Sequence, residues 1–267
     1  MTTLTLHTDD QVALITLNRP LVRNALDDRM IRELQELTGR LEQDAGLRAV
    51  VLTGAGKAFC SGMDLEFLAR SAEGGEDEIR RDTERLRDLY TAMRASRLPW
   101  IAAVNGPAVA GGCGLATACD LVLADRGAAR FGYPEVQIGF IPALVAVLLA
   151  DRVGSTAARD LLLTGRLVKA DAALRMGLVN ELAEEGQVLA LAGQRARALA
   201  RSCSPGSIAA TKVLLEQVRG LPMREALDLA LEANVARRLS GECRRGVRAF
   251  LDKQELDWRR LDGPAGE

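Results

Sequence analysis

The sequence predicts an α/β protein, with a core of strand–strand–helix units followed by a helical C-terminal region. Two observations support this prediction. Segments with the period of β-strands recur as far as about residue 124, with helical periodicity between them. After roughly residue 140 the strand pattern fades, and most segments have the period of a helix. We therefore divide the chain into a core over residues 1–200 and a C-terminal helical region over residues 201–267.

The strands of the core are predicted from five segments that are short and apolar or alternate between apolar and polar residues. These segments are residues 3–7, 11–17, 48–53, 100–104 and 120–124.

The first predicted helix, over residues 27–43, places its apolar side chains on one face, with Asp27 or Asp28 as its cap. The polar stretch SAEGGEDE (71–78) is predicted to be a mobile loop, and the tail GPAGE (263–267) is predicted to be frayed. The other predicted helices cover residues 76–97, 112–119, 143–151, 155–163, 170–176, 187–202, 205–219, 222–239 and 241–251.

The composition limits the class of partner. Lys and Arg total 35 against 36 for Asp and Glu, so the net charge of −1 gives no reason to expect nucleic acid or an acidic membrane as a partner. Five cysteines form no CxxC pair, which favours a reduced intracellular setting. The N-terminus lacks the segments of a signal peptide, and the longest apolar run, around residues 141–150, is too short to span a bilayer. These features predict a cytoplasmic protein.

Histidine chemistry is nearly excluded, because His7 is the single histidine and lies in a predicted strand. Acid–base chemistry must therefore come from a carboxylate, Cys, Tyr or Lys. No segment has the spacing of a metal site, so no metal is predicted.

Two loops share one design. KAFCSGMDLEFL (57–68) and NGPAVAGGCGLA (105–116) each follow a predicted strand and lead into a predicted helix. The start of a helix leaves backbone N–H groups unpaired, and two such starts that converge can hold an oxyanion. Neither loop matches the phosphate-binding pattern GxxxxGK[ST].

Glu135 is the candidate acid–base residue. It follows Pro134 in the otherwise apolar segment ARFGYPEVQIGFIPAL (129–144). Apolar surroundings raise the pKa of a carboxyl group, which suits it to proton transfer near neutral pH.

Together these segments resemble the crotonase (enoyl-CoA hydratase/isomerase) superfamily over nearly the whole chain. The resemblance implies a spiral of ββα units with a C-terminal trimerisation region, and an acyl-CoA thioester as substrate with no other cofactor. It implies a homotrimer or a dimer of trimers, and the charge balance and the short apolar run predict no nucleic acid or membrane partner. The motifs that carry it are LITLNRPLVRNAL (14–26), FCSGMDL (59–65), NGPAVAGGCGLATACDLVLA (105–124), FGYPEVQIGFIP (131–142) and LLLTGRLVKADAALRMGLVNEL (161–182).

The resemblance also assigns roles to residues. The N–H groups of Met63 and Gly111 would hold the thioester oxygen, and Glu135 would move the proton. Tyr133 and Phe140 are expected to line the acyl pocket. Cys60 and Cys113 have no His partner that could form a thiolate, so we expect them to be packing residues. The expected substrate-binding residues are Arg23, Ala25, Ser61, Asp64, Leu65, Ala110, Gly114, Pro134 and Phe140.

Gly114 is a departure from the pattern of the two-glutamate hydratases, which carry a glutamate at this position. A proton shift needs one carboxylate, so chemistry alone favours an isomerase. The sequence GGCGLATACD instead resembles the methylglutaconyl-CoA hydratase branch, where the space beside this glycine would hold water or a branched substrate. We therefore expect a hydratase for a 2-enoyl-CoA, with a branched or dicarboxylic acyl group as one option. An isomerase and a non-catalytic CoA-ester or RNA-binding protein are the alternatives.

Overall fold

The computed structural model describes residues 3–260. The strands in chain order are β1 (Leu4–Asp9), β2 (Val12–Leu17), β3 (Ala49–Gly54), β4 (Trp100–Val104), β5 (Pro107–Val109), β6 (Leu121–Asp125), β7 (Arg130–Gly132), β8 (Val168–Lys169) and β9 (Glu181–Ala183). The helices are α1 (Asp28–Gln43), α2 (Leu65–Glu73), α3 (Glu76–Ala95), α4 (Gly111–Ala118), α5 (Ala143–Thr164), α6 (Ala170–Arg175), α7 (Val188–Ser202), α8 (Pro205–Gln217), α9 (Met223–Arg238) and α10 (Gly241–Leu251).

The main sheet has six strands in the order β1-β2-β3-β4-β6-β9. The first pair is antiparallel, and all the others are parallel. A second sheet has the order β5-β7-β8. In β3 and β4 every side chain is buried, as expected for strands covered on both faces. The five predicted strands are confirmed, and the four that the sequence did not predict are only two or three residues long.

Helices cover both faces of the main sheet. One face packs against α1, α3, α4 and α5 around Leu34, Leu89 and Phe131, and α7 covers the other face with Ala192 and Ala196. The α1 helix begins as predicted, because the Asp27 side chain accepts a hydrogen bond from the N–H of Met30 at 2.8 Å.

The prediction of a mobile loop over residues 71–78 is wrong. The α2 helix continues to Glu73 and α3 begins at Glu76, so only Gly74 and Gly75 lie between them. Gly75 has a φ of 77°, which suits glycine, and the acidic residues that made the stretch look like a loop are Glu76, Asp77 and Glu78 in the first turn of α3. Negative charge stabilises a helix at its N-terminus.

The C-terminal helices differ in how they are held. The ammonium group of Lys212 on α8 is buried and contacts the Asp120 carboxylate and the Leu98 carbonyl oxygen at 2.7 and 2.8 Å. In contrast, α9 and α10 bury no side chain completely.

The end of the described chain then returns to the first hairpin. Trp258 is buried, and Gln11 donates a hydrogen bond to the carbonyl oxygen of Arg259 at 2.9 Å. The predicted frayed tail, residues 263–267, lies outside the described residues. Within residues 3–260 no helix is long and apolar enough to cross a membrane.

Candidate active site

The two glycine-containing loops are hydrogen-bonded to each other. The N–H groups of Phe59 and Cys60 both donate to the carbonyl oxygen of Pro107, at 3.1 and 3.2 Å, and Val109 donates to the carbonyl oxygen of Cys60 at 2.9 Å. A β-carbon at Gly112 would lie 2.2 Å from the Cys60 carbonyl oxygen, so this contact requires glycine. The loop before α2 and the loop before α4 therefore form one unit.

Two residues in this unit have unusual backbone conformations. Gly62 has a φ of 93°, and Ala110, the residue before α4, has φ 52° and ψ −125°. A positive φ in a residue with a β-carbon costs on the order of 1–3 kcal/mol. The Ala110 conformation is held because its N–H donates to Gly132 and its carbonyl oxygen accepts from Gly114, at 2.8 and 3.0 Å.

The N–H groups of Met63 and Gly111 lie at the junction of the two loops. A β-carbon on Gly62 would lie 3.3 Å from the Gly111 nitrogen, and one on Gly111 would lie 3.8 Å from Met63 Cγ. In the part of the chain that the structure describes, neither N–H donates a hydrogen bond. A β-carbon on Gly111 would meet no protein atom within 3.4 Å, so packing alone does not require glycine there. Both residues instead border empty space.

This space consists of two connected cavities. The inner cavity, of about 420 Å³, lies between α2, α3 and the start of α5. The outer cleft, of about 570 Å³, lies between the β2–α1 loop and the two glycine-containing loops. Met63, Gly111 and Glu135 line both cavities, so they mark the point where the inner cavity meets the outer cleft.

Glu135 lies in a short 3₁₀ turn, Pro134–Ile138. It is buried, and its Oε2 atom has no hydrogen-bond partner among the described residues. Burial raises the pKa of this carboxyl group above the usual glutamate range, because the charged form loses hydration. A carboxyl group with a free oxygen at a cavity junction can exchange a proton with a bound molecule.

Eight of the nine residues predicted to bind substrate line the outer cleft; these are Arg23, Ala25, Ser61, Asp64, Leu65, Ala110, Pro134 and Phe140. Asp64 is also a helix cap, because its side chain accepts from the N–H of Glu66 at 3.1 Å. Arg19, which the sequence analysis did not select, lines the same cleft and is 3.1 Å from Asp64. Its guanidinium group contacts the Asp27 and Asp64 carboxylates and donates to the Ala25 carbonyl oxygen, whereas Arg23 is exposed.

Gly114 is the exception, and the prediction of an open space beside it is wrong. Gly114 is buried and lines neither cavity. A β-carbon there would lie 2.4 Å from the Tyr90 hydroxyl oxygen and 2.6 Å from Val145 Cγ1. The position is filled by protein, so it holds neither a water molecule nor a branch of a substrate.

Tyr90 is a second residue that the sequence analysis did not select. It is buried on α3, and its hydroxyl group donates to the Gly111 carbonyl oxygen at 2.9 Å. Burial raises its pKa well above the usual tyrosine range, so the hydroxyl group stays protonated and remains a donor. Tyr90 thereby holds the backbone next to Gly111.

The expectation that Tyr133 lines the acyl pocket is wrong, because its ring is fully buried in the core and borders neither cavity. Phe140 lines both cavities. Burial raises the pKa of the Cys60 and Cys113 thiols to about 12, so neither is a thiolate near neutral pH. Within residues 3–260 no cluster of His, Cys, Asp and Glu could hold a metal ion.

Comparisons with known proteins identify the family of the chain. The family model described as enoyl-CoA hydratase/isomerase matches residues 7–261. The chain is 47% identical over 243 residues to a Thermus thermophilus protein named "Putative enoyl-CoA hydratase", covering 91% of this chain and 95% of that protein. It is 32% identical over 262 residues to the "Short-chain-enoyl-CoA hydratase" of Clostridium acetobutylicum, with 94% and 95% covered.

Solved structures match as well. The crystal structure of an enoyl-CoA hydratase/isomerase from Marinobacter aquaeolei has a TM-score of 0.90 at 35% identity, and the match covers 97% of this chain and all of that one. The fold is therefore that of the crotonase superfamily, and the predicted fold class is confirmed. The chain belongs to the enoyl-CoA hydratase/isomerase family.

Proposed function

We propose that this enzyme adds water to the double bond of a 2-enoyl-CoA thioester and forms a 3-hydroxyacyl-CoA. The observation that carries the proposal is the position of Glu135, a buried carboxyl group with an unpartnered oxygen where the inner cavity meets the outer cleft. The names of the relatives from Thermus thermophilus and Clostridium acetobutylicum support hydration over other reactions of the family.

The reaction follows from three groups. The thioester oxygen accepts hydrogen bonds from the N–H groups of Met63 and Gly111, which have no other acceptor among residues 3–260. Glu135 removes a proton from water as the water oxygen bonds to C3. The electron pair of the C2–C3 double bond moves toward the thioester and forms an enolate, which the two N–H groups stabilise. Protonated Glu135 then returns the proton to C2, so one water molecule is added in total.

Isomerisation is the second candidate, and the closed position at Gly114 favours it. A second carboxylate cannot be placed there without displacing Tyr90 and Val145. With one carboxylate, Glu135 could remove a proton from C2 of a 3-enoyl-CoA and return it to C4. This shift needs the same enolate stabilisation and no water.

The two cavities fit the two halves of such a substrate. Exposed Arg23 at the mouth of the outer cleft suits the phosphate groups of CoA. Apolar side chains dominate the inner cavity and suit the acyl chain; they include Leu68, Leu86, Ile141, Leu144 and Val145. The chemistry above needs no further cofactor.

We also propose that the molecule is a trimer or a dimer of trimers. Helix α9 presents an exposed apolar stripe, with side chains at every fourth position. An amphipathic helix normally buries such a face. The residues of the α9 stripe are Met223, Leu227, Leu231, Val235 and Leu239, the last of which follows the helix end.

Mass spectrometry of the products tests the reaction. Purified protein is incubated separately with crotonyl-CoA, 3-methylglutaconyl-CoA and a 3-enoyl-CoA. Gain of one water by a 2-enoyl-CoA supports hydration, whereas conversion of the 3-enoyl-CoA without a change in mass supports isomerisation. A protein that binds the esters and converts none of them would contradict both candidates.

A substitution tests the role of Gly111. A β-carbon there has room within the protein but would stand on the residue whose N–H is proposed to hold the thioester oxygen, so Gly111→Ala should keep the fold and lose most activity. Gly39→Ala, on the exposed side of α1 with no atom within 4 Å of its β-carbon, is the matched control and should remain active.

A further inference from the structure

The far end of the inner cavity has a distinct chemical character. The charged side chains that line this cavity, within residues 3–260, are Glu135 and Asp82, and no Lys, Arg or His is among them. The remaining lining is mostly aliphatic. An anionic group that reached Asp82 would meet a negative charge, and no cationic side chain lines the cavity to pair with it.

Helix α3 shows where Asp82 lies relative to the reacting end. Tyr90 contacts Gly111 through its hydroxyl group. Asp82 precedes Tyr90 by two helical turns, which corresponds to about 12 Å along the axis. Leu86 lies between them and also lines the cavity. Asp82 and Gly111 line the same cavity, and this spacing along α3 is comparable to the length of a medium-length acyl chain.

The partners of Asp82 leave no donor for an anion. Ser71 donates its hydroxyl proton to Asp82 Oδ2 at 2.6 Å, so its oxygen can only accept. Arg85 contacts Asp82 at 3.3 Å, but Arg85 does not line the cavity and is also bound to Asp28 on α1. The groups at the end of the cavity thus present acceptor oxygens.

We propose that the inner cavity selects an acyl chain that is uncharged to its end, and that Asp82 rejects a chain that ends in a carboxylate. The inference rests on the proposed function, because it takes the ligand to be an acyl-CoA. It favours straight or branched hydrocarbon chains and disfavours the dicarboxylic option raised by the sequence.

Binding measurements separate this inference from the reaction. The full-length protein is titrated calorimetrically with octanoyl-CoA and with the mono-CoA thioester of octanedioic acid, which has the same length and a terminal carboxylate. We expect the second ligand to bind at least about tenfold more weakly, since one unfavourable charge contact in a partly buried site has roughly this effect. Equal affinity would overturn the inference.

A new cation at the end of the cavity should remove most of the preference for the uncharged ligand. Thr83 is exposed and lines the cavity, so Thr83→Lys adds a charge without burying it. We expect the dissociation constant of the octanedioic thioester, divided by that of octanoyl-CoA, to fall about tenfold. Thr91→Lys is the matched control, because Thr91 is also exposed on α3 and bonds to the carbonyl oxygen four residues earlier as Thr83 does. An equal change in both variants would contradict the proposal.

Removing the charge of Asp82 completes the test. Asp82→Asn keeps the shape of the side chain, and its amide oxygen can still accept a hydrogen bond from Ser71. This variant should also lower the ratio of dissociation constants. Asp88→Asn, on the exposed side of α3, is the control and should leave the ratio unchanged. Failure of 2-octenoyl-CoA to react while the binding preference holds would refute the proposed reaction and leave this inference standing. If neither ligand binds, both fail.

Discussion

Glu135 has two opposite effects at the scale of a single residue. Burial raises the pKa of its carboxyl group toward neutral pH, which suits the group to proton transfer. The same burial penalises the charged form, so the folded protein binds a proton more tightly than the unfolded chain does. The free energy of unfolding therefore falls as the pH rises from about 4.3, the usual glutamate pKa, through the raised pKa of the folded state.

Glu135→Gln should remove this penalty. The variant is expected to be more stable than the natural protein at neutral pH, and the difference should shrink as the pH falls from the raised pKa of the folded state toward about 4.3, where it should vanish. Urea unfolding at several pH values measures it. If Glu135→Gln gained no stability over the natural protein at neutral pH, the assigned cost of burying the Glu135 carboxylate would be contradicted.

Gly114 is fixed by its neighbours. Gly114→Ala should lower the free energy of unfolding by about 1–3 kcal/mol, because the new methyl group overlaps Tyr90 and Val145. Gly39→Ala should raise it by roughly 0.5–1 kcal/mol, since that helical position has free space. Thermal or urea unfolding of both variants gives the comparison, and a stabilised Gly114→Ala would show that the position is open.

The sequence located most of the candidate site but not Tyr90. Met63, Gly111 and Glu135 stand in long motifs, and their segments could be recognised one by one. Tyr90 lies in a charged helix twenty-one residues before Gly111, and no local pattern says which residue of α3 faces that carbonyl oxygen. The space beside Gly114 was misjudged for the same reason, because Tyr90 fills it.

At the level of single helices, α2 is stabilised at its start by Asp64, a side chain that also lines the outer cleft. Asp64 caps α2 through its Oδ1 atom and contacts Arg19 through Oδ2. The cap explains why α2 begins directly after Asp64. The loop predicted after α2 is absent because polar composition cannot distinguish a loop from the acidic first turn of α3.

Asp64→Ala should lower the free energy of unfolding by about 1 kcal/mol through loss of the cap. Asp64→Asn should recover most of that loss, since its side-chain oxygen can still accept from Glu66 and the ion pair with Arg19 is worth only about 0.2–1 kcal/mol. Urea unfolding of the two variants measures the difference. Equal losses would assign the effect to the charge and not to the cap.

At the scale of the whole molecule, the chain folds around a covered sheet and leaves α9 and α10 outside it. Strand patterns and helical periodicity predicted the sheet and most helices, because burial on both faces leaves a strong apolar signal. The short strands β5, β7, β8 and β9 carry too few residues for such a signal. The return of Trp258 to the first hairpin is a tertiary contact that no local pattern records.

The α9 stripe predicts the assembly. Replacing Leu227 and Leu231 together with Asp should lower the oligomer order, because both side chains are exposed and apolar in the single chain. Ala236→Asp adds a charge on the other side of the same helix and should leave the order unchanged. Light scattering at micromolar concentration measures the mass. A natural protein that is a stable monomer would contradict the proposed trimer.

We propose that Glu135 is the single acid–base group of the site. The most direct test of this claim is the turnover of Glu135→Gln on an enoyl-CoA that the natural protein converts well. The amide keeps the shape of the side chain but cannot exchange a proton, so kcat should fall by about 10²–10⁴-fold while KM changes little. Near-normal kcat in Glu135→Gln would contradict the claim and move the proton transfer to another group.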